Sequence, residues 1–307
     1  MRKLWFILIL LQCKHSFSQD SCKPKYELPV QKQQVSGLNM AYVESGKGQP
    51  IVFIHGLGGN LSHWLKAVKN LSATYKCIAV DLPGYGYSDK NFTTNDKDQL
   101  QFYADMLTQF IQKKKLKKLV VAGHSMGGQI AMILAIQHPG LISKIVLVSP
   151  AGLESFTSNE AQIMIGATPP AYFEKQDENA IRLSFKQNFY ELPKDAENLI
   201  QDRLRLKTCN DFSLYTQAVS NGIKGMLNHP VKNEWSKIKQ PVLIIYGQND
   251  ALIPNKIFHP ALTLDSLLKE AVTAIPQTRQ VLIANAGHMV PYEKPLETSK
   301  AIKEFIQ

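Results

Sequence analysis

The sequence predicts an α/β fold, a mostly parallel central sheet with helices on both faces. Three observations predict it. Short apolar runs alternate with helix-period segments from Leu38 to Pro150. From about Gly152 to Trp235 the alternation stops, and helical patterns occur without a strand pattern. Two further apolar runs, Val242 to Tyr246 and Gln280 to Ile283, then resume it. At 307 residues the chain is long enough to build a sizeable core without staples.

The N-terminus carries Arg2 and Lys3, an apolar run from Leu4 to Leu11, and Ser16-Phe17-Ser18 before Gln19. That is the pattern of a cleaved export signal over residues 1–18, too short to span a membrane as a helix. The rival reading is a lipoprotein signal with lipidation at Cys13, for which Gln12 is a poor fit. No second apolar stretch is long enough to cross a membrane. Residues 19–36 are polar and read as irregular.

Ile51 to Ile54 reads as a buried strand and leads into His55-Gly56-Leu57-Gly58-Gly59. His63 and Trp64 begin an amphipathic helix, with Trp64 expected in the core or the pocket wall. Ile78 to Val80 is the next strand, opened by Cys77 as a core residue and followed by Asp81, which is expected to tie down its own loop. A helix over Leu100 to Ile111 ends in Lys113-Lys114-Lys115 and Lys117-Lys118. Cations there suit the negative end of the helix dipole. A nucleic-acid patch would need aromatic or glycine interleaving, which is missing.

Leu119 to Ala122 reads as a buried strand, and the helical pattern of Ile130, Ala131, Leu134 and Ala135 follows Gly123-His124-Ser125-Met126-Gly127. Ile145 to Val148 is the last strand before the helical stretch. Within that stretch Ile181, Phe185 and Phe189 share one face. Leu199, Ile200 and Leu204 share another, on a helix that Pro193 introduces, and a third helix carries Leu214, Ala218 and Val219. Residues 255–279 form a long connection that carries an extra helix or loop. His138, His229 and His259 read as surface or loop residues.

The chemistry concentrates at strand ends. Gly-x-Ser-x-Gly between a strand and a helix is a nucleophile elbow, whose turn is too tight for a Cβ at Gly123 or Gly127. A serine needs a base and an acid to orient that base. His288 lies in Asn285-Ala286-Gly287-His288-Met289, held between a glycine and the turn stiffened by Pro291 and Pro295. Asp250 ends Gly247-Gln248-Asn249-Asp250, just past a strand. The backbone N–H groups of Leu57 and Met126 are the candidate oxyanion donors. His124 is expected beside the elbow, and His55 is expected to hold its loop.

Asp89 stands where a dinucleotide fingerprint needs its third glycine, and no phosphate-binding loop, His-Glu-x-x-His or Cys-x-x-Cys occurs. No cofactor and no metal is signalled. The chain balances 35 basic against 25 acidic residues, +10 in all. Without residues 1–18, which carry Arg2, Lys3 and Lys14 and no acid, the remainder is +7. Beyond Cys13, the odd set Cys22, Cys77 and Cys209 permits at most one internal disulfide.

His55-Gly56, Asp81-Leu82-Pro83-Gly84-Tyr85-Gly86-Tyr87-Ser88, Gly123-His124-Ser125-Met126-Gly127-Gly128, and Gly247…Asp250 with Gly287-His288 follow in order. On these motifs the chain resembles the α/β-hydrolase superfamily over about residues 38–307, within the branch of small carboxylesterases, monoglyceride-type lipases and carbon–carbon bond hydrolases. A serine in the elbow, where epoxide hydrolases and haloalkane dehalogenases carry aspartate, separates it from those relatives. The resemblance implies a helical cap, residues 152–235, inserted after the sixth strand of a core formed by residues 37–151 and 236–307. It implies a catalytic set of Ser125, Asp250 and His288. The cap would roof a pocket whose candidate walls are His55, Gly56, Leu153, Met164, Phe173 and Met289. The expected reaction is cleavage of a hydrophobic carboxylic ester of moderate size, a small-molecule substrate, through an acyl-enzyme, with no evident anchor for a charged substrate. Carbon–carbon bond cleavage with the same residues, or a slow-turnover ligand receptor, are the alternatives. The natural acyl and leaving groups and the oligomeric state stay open at this level.

Overall fold

The computed structural model describes residues 22–94, 98–275 and 277–307; the expected export signal, with Cys13, lies outside the described residues. The sheet starts with a hairpin. β1 (Gln31–Val35) and β2 (Leu38–Ser45) are joined at Ser36 and Gly37, whose φ values of 47° and 83° give the left-handed turn that hairpins favour. The expectation that residues 19–36 are irregular is thus corrected for 31–35. Gln31-Lys32-Gln33-Gln34 has no apolar alternation because β1 is an edge strand, with only Val35 buried.

β3 (Pro50–Ile54), β4 (Lys76–Val80), β5 (Leu119–His124), β6 (Ile142–Val148), β7 (Val242–Gly247) and β8 (Thr278–Ile283) complete an eight-stranded sheet in the order β1-β2-β4-β3-β5-β6-β7-β8. The pairings β1·β2 and β2·β4 are antiparallel, and those from β4 to β8 are parallel. β3 and β5 are buried along their whole length, as strands covered on both faces must be.

Alternation along each strand feeds two cores. Val52 and Ile54 join Val121 on the side of α2 (Gln99–Lys113), α3 (Met126–Gln137) and α9 (Leu264–Ala274). Ile51 and Phe53 join Val120 on the side of α1 (Leu65–Leu71) and α11 (Pro295–Ile306). His63 and Trp64 lie in a 3-10 turn, Leu61–Trp64, that precedes α1. Trp64 is fully buried and its indole N–H donates to the Ile54 carbonyl at 3.0 Å. Part of the lysine run secures the hairpin: Lys113 Nζ donates to Gln34 O at 2.9 Å, and Lys114 pairs with Glu44 at 2.9 Å.

Between β6 and β7 the described chain is helical: α4 (Ser158–Ala167), α5 (Pro170–Glu174), α6 (Glu178–Gln187), α7 (Glu197–Lys207) and α8 (Phe212–Asn228), with short 3-10 turns. Local chemistry fixes these starts. Thr157 and Glu160 form a capping box at α4, and Asp177 caps α6 by accepting from Ala180 N. Phe189 falls just beyond the C-cap of α6 rather than on its face, and packs instead against Leu199, Met289 and Tyr292. Cys22 and Cys209 form a disulfide that ties the N-terminal segment to the corner between α7 and α8, while Cys77 is free and buried. α10 (Val290–Glu293) links β8 to α11. Among the described residues no helix is long and apolar enough to cross a membrane.

Candidate active site

β5 ends at His124, and Ser125 turns the chain into α3 with φ 52° and ψ −118°. The turn closes only without side chains at its flanks. A Cβ on Gly123 would sit 2.1 Å from the Gly127 carbonyl oxygen, and one on Gly127 would sit 2.4 Å from that of Ile54. Ser125 N–H donates to Val148 O at 3.0 Å, pinning the elbow to β6. Met126 opens α3, so its N–H is one of those a helix leaves without an internal acceptor.

The loop after β3 approaches from the other side. Gly59 N–H bonds Gly56 O at 3.2 Å, which places Leu57 in a tight turn, and a Cβ on Gly56 would lie 3.1 Å from Ser125 Cβ. His55 secures this loop. Its Nδ1 lies 2.8 Å from Gly56 O, and its Nε2 accepts from Leu82 N–H at 3.1 Å. That pattern needs the neutral ring with the proton on Nδ1, and burial pushes its pKa down to about 4. His55 is therefore not a pocket wall, which corrects the expectation. Leu153 is corrected likewise: it is fully buried in the core between the sheet and the cap.

Asp250 and His288 meet from the loops after β7 and β8. His288 Nδ1 lies 2.9 Å from Asp250 Oδ2, and the Asp250 side chain is fully buried. Its Oδ1 accepts from the N–H groups of Leu252 at 2.9 Å and Ile253 at 3.1 Å. Burial alone would raise the Asp250 pKa. The neighbouring imidazole and these donors outweigh burial and hold it below the usual carboxylate range. Asp81 is engaged elsewhere, accepting from Leu61 N–H at 2.8 Å, Tyr87 N–H at 2.9 Å and Tyr26 OH at 3.0 Å. It ties its loop as expected.

Two lobes of one cavity meet at Ser125 and His288. The larger, about 560 Å³, is lined by Met164, Ile223, Leu227, Ile253 and Phe258 and is strongly apolar. The smaller, about 250 Å³, contains Gly56, Phe173 and Met289 together with His63, His124 and Arg203. The expected wall residues Gly56, Met164, Phe173 and Met289 all line one lobe or the other. A Cβ on Gly222 of α8 would come within 2.7 Å of Leu57 Cδ1 and 3.2 Å of Met126 Sδ, so the cap helix sits directly on both candidate oxyanion residues.

His124 lies beside the elbow as expected, whereas His63, Arg203 and Glu154 are groups that sequence reasoning missed. His124 Nε2 lies 2.9 Å from His288 O, so the two rings pack at 4.9 Å between centroids, and His63 stands 6.4 Å beyond. Arg203 reaches in from α7. Glu154, on the wall of the apolar lobe, accepts from Asn255 N–H and lies 2.5 Å from His259 Nδ1, so His259 is a tether rather than a free surface residue. Arg203 had one readable signal. It falls four residues after Leu199, on the face of α7 that packs inward.

With this geometry in hand, kinship is clear. A sequence model described as alpha/beta hydrolase fold matches residues 49–295, and the chain belongs to that family. Over 282 residues it is 26% identical to the dihydrolipoyllysine-residue acetyltransferase component of the acetoin cleaving system of Pseudomonas putida, covering 90% of this chain and 69% of that one. Over 289 residues it is 27% identical to lipase 1 of Psychrobacter immobilis, covering 88% and 81%. A probable hydrolytic enzyme from Pseudomonas aeruginosa shares the fold with a TM-score of 0.79 at 23% identity, covering 92% and 96%.

Proposed function

We propose that this hydrolase is a serine esterase that cleaves a hydrophobic carboxylic ester through an acyl-enzyme. The observation that carries this reading is the Asp250–His288 pair beside an elbow serine, where a strongly apolar lobe meets a lobe of mixed lining that holds Arg203. An ester has two arms, and a site with two unlike lobes at its nucleophile can hold one in each.

Ser125 Oγ attacks the ester carbonyl carbon while His288 Nε2 takes the hydroxyl proton. Asp250 holds the proton-bearing Nδ1 and stabilises the imidazolium that forms. The carbonyl oxygen becomes an oxyanion facing the Leu57 and Met126 N–H groups; losing one such donor typically costs about 3 kcal/mol in the transition state. The alcohol leaves with the proton from His288. Water then attacks the acyl-serine with His288 as base, releasing the acid and restoring Ser125. Export with removal of residues 1–18 belongs to the same reading, and the Cys22–Cys209 disulfide fits an oxidising compartment.

The test is hydrolysis of p-nitrophenyl esters of increasing acyl length by the wild type and by Ser125→Ala. Turnover that vanishes in the variant supports the reading, and the preferred length gauges the apolar lobe. Absence of turnover while a fluorophosphonate still labels Ser125 would exclude ester cleavage and direct attention to carbon–carbon substrates.

A further inference from the structure

The smaller lobe contains a charge that the ester reading does not use. Arg203 donates one N–H to the Gly58 carbonyl, and its guanidinium lies 4.8 Å from the Tyr215 ring centroid and 5.8 Å from that of Phe185. Tyr215 OH also donates to Gly58 O, at 2.9 Å, so the loop and α8 hold the arginine in place. A guanidinium has five N–H donors. Among the described residues Arg203 has no carboxylate partner, and no acidic side chain lines this lobe. The nearest sequence neighbour, Asp202, pairs with Arg205.

The Nδ1 atoms of the neighbouring imidazoles are closed off from the lobe by the loop after β3. His124 Nδ1 and His63 Nδ1 are buried without a hydrogen-bond partner. His124 donates from Nε2 to His288 O, and its Nδ1 faces the Gly56 backbone with no surface open to the lobe. Arg203 is partly buried and spends one donor on Gly58 O, which leaves it further N–H donors for an anion in the lobe. The apolar lobe offers no such place for an anion. Its one carboxylate, Glu154, would repel it and is already engaged by Asn255 and His259.

We infer that the smaller lobe is a leaving-group subsite for an alcohol bearing an anionic group, phosphate or carboxylate, held by Arg203. This deepens the esterase reading and rests on it. The acyl chain then fills the apolar lobe, and the enzyme's specificity lies in the charge on the departing alcohol.

The experiment compares kcat/KM for three esters of one acyl chain: 1-decanoylglycerol, 1-decanoylglycerol 3-phosphate and 3-decanoylglycerate. The wild type should favour an anionic ester over the neutral one by about tenfold or more, the scale of one charge-assisted hydrogen bond. The phosphate-to-carboxylate ratio identifies which anion the lobe takes. Arg203→Gln should bring the anionic-to-neutral ratio close to one, and Arg203→Lys should keep part of it. Each ratio is taken within one preparation, so a partly unfolded variant does not distort it. A wild-type ratio at or below one, or a ratio unchanged in Arg203→Gln, overturns the inference while leaving the esterase intact. Turnover of none of the three overturns it as well; fluorophosphonate labelling and p-nitrophenyl ester turnover then tell whether the esterase reading falls with it.

Discussion

Ser125 is held in a backbone conformation that costs a non-glycine residue about 1–3 kcal/mol, and such strain persists only where the surroundings over-determine it. Val148 O, the bare backbones of Gly123 and Gly127, and the start of α3 do so here. The proposed acid, Asp250, can be separated from its rival, Asp81, by substitution. Asp250→Asn keeps the shape but loses the charge that fixes the His288 tautomer, so kcat should fall by about 10⁴-fold with the melting temperature little changed. Asp81→Asn should do the reverse, since Asp81 accepts from Leu61, Tyr87 and Tyr26. A kcat loss in Asp81→Asn with Asp250→Asn still active would exchange their roles. The strand-end loops that carry Ser125, Asp250 and His288 were legible in the sequence because each follows an apolar strand run. Arg203 and His63 were not. They reach the cavity only through packing between distant elements, and neither belongs to a local motif.

At the scale of elements, the segment after α6 binds the His288 loop. Met289 N–H donates to Asn188 O at 2.9 Å, and a Cβ on Gly287 would lie 2.5 Å from Tyr190 N. Glu293 clamps both sides, accepting from Gly287 N–H at 2.7 Å, Glu191 N–H at 2.8 Å and Tyr190 N–H at 3.3 Å. Glu293→Ala leaves the buried Gly287 donor without its charged acceptor, while the exposed donors turn to water. The expected loss is about 1–3 kcal/mol, a melting temperature lower by several degrees, together with a lower kcat as the His288 loop loosens. Unchanged kcat at a lower melting temperature would confine Glu293 to stability. The helical faces of this region were readable from their period, except that Phe189 lies past the end of α6. β1 was not, because an edge strand of polar residues carries no apolar alternation, and the five-residue α5 is too short to show a period.

Across the whole molecule, burial of the β3 and β5 ends beneath the cap places ionisable groups where they must stay neutral. His124 is 2% exposed, and burial, reinforced by His288, pushes its pKa down to about 3. The alternation that predicted a mostly parallel sheet could not foretell this, because nothing in Gly-His-Ser-Met-Gly says how deep its histidine lies. The consequence is acid sensitivity with a definite sign. In the unfolded chain the ring takes a proton below about pH 6.5, and the folded protein refuses it down to about pH 3. The unfolded state therefore binds more protons across that window, and stability falls as pH falls through it. His55, pushed down to about 4 by burial, acts in the same direction, whereas Asp81, pushed up to about 6 by burial, acts against it. A substitution isolates one contribution from the others. Gln at 124 can still donate to His288 O but does not titrate. Between pH 6 and pH 4 the wild type should lose about 2–3 kcal/mol more than His124→Gln, at 1.36 kcal/mol per pH unit for one proton. Urea midpoints at pH 4, 5 and 6 measure this difference. Parallel curves for the two proteins would mean that His124 is protonated in the folded state, and that the pocket beside Ser125 is wetter than its packing implies.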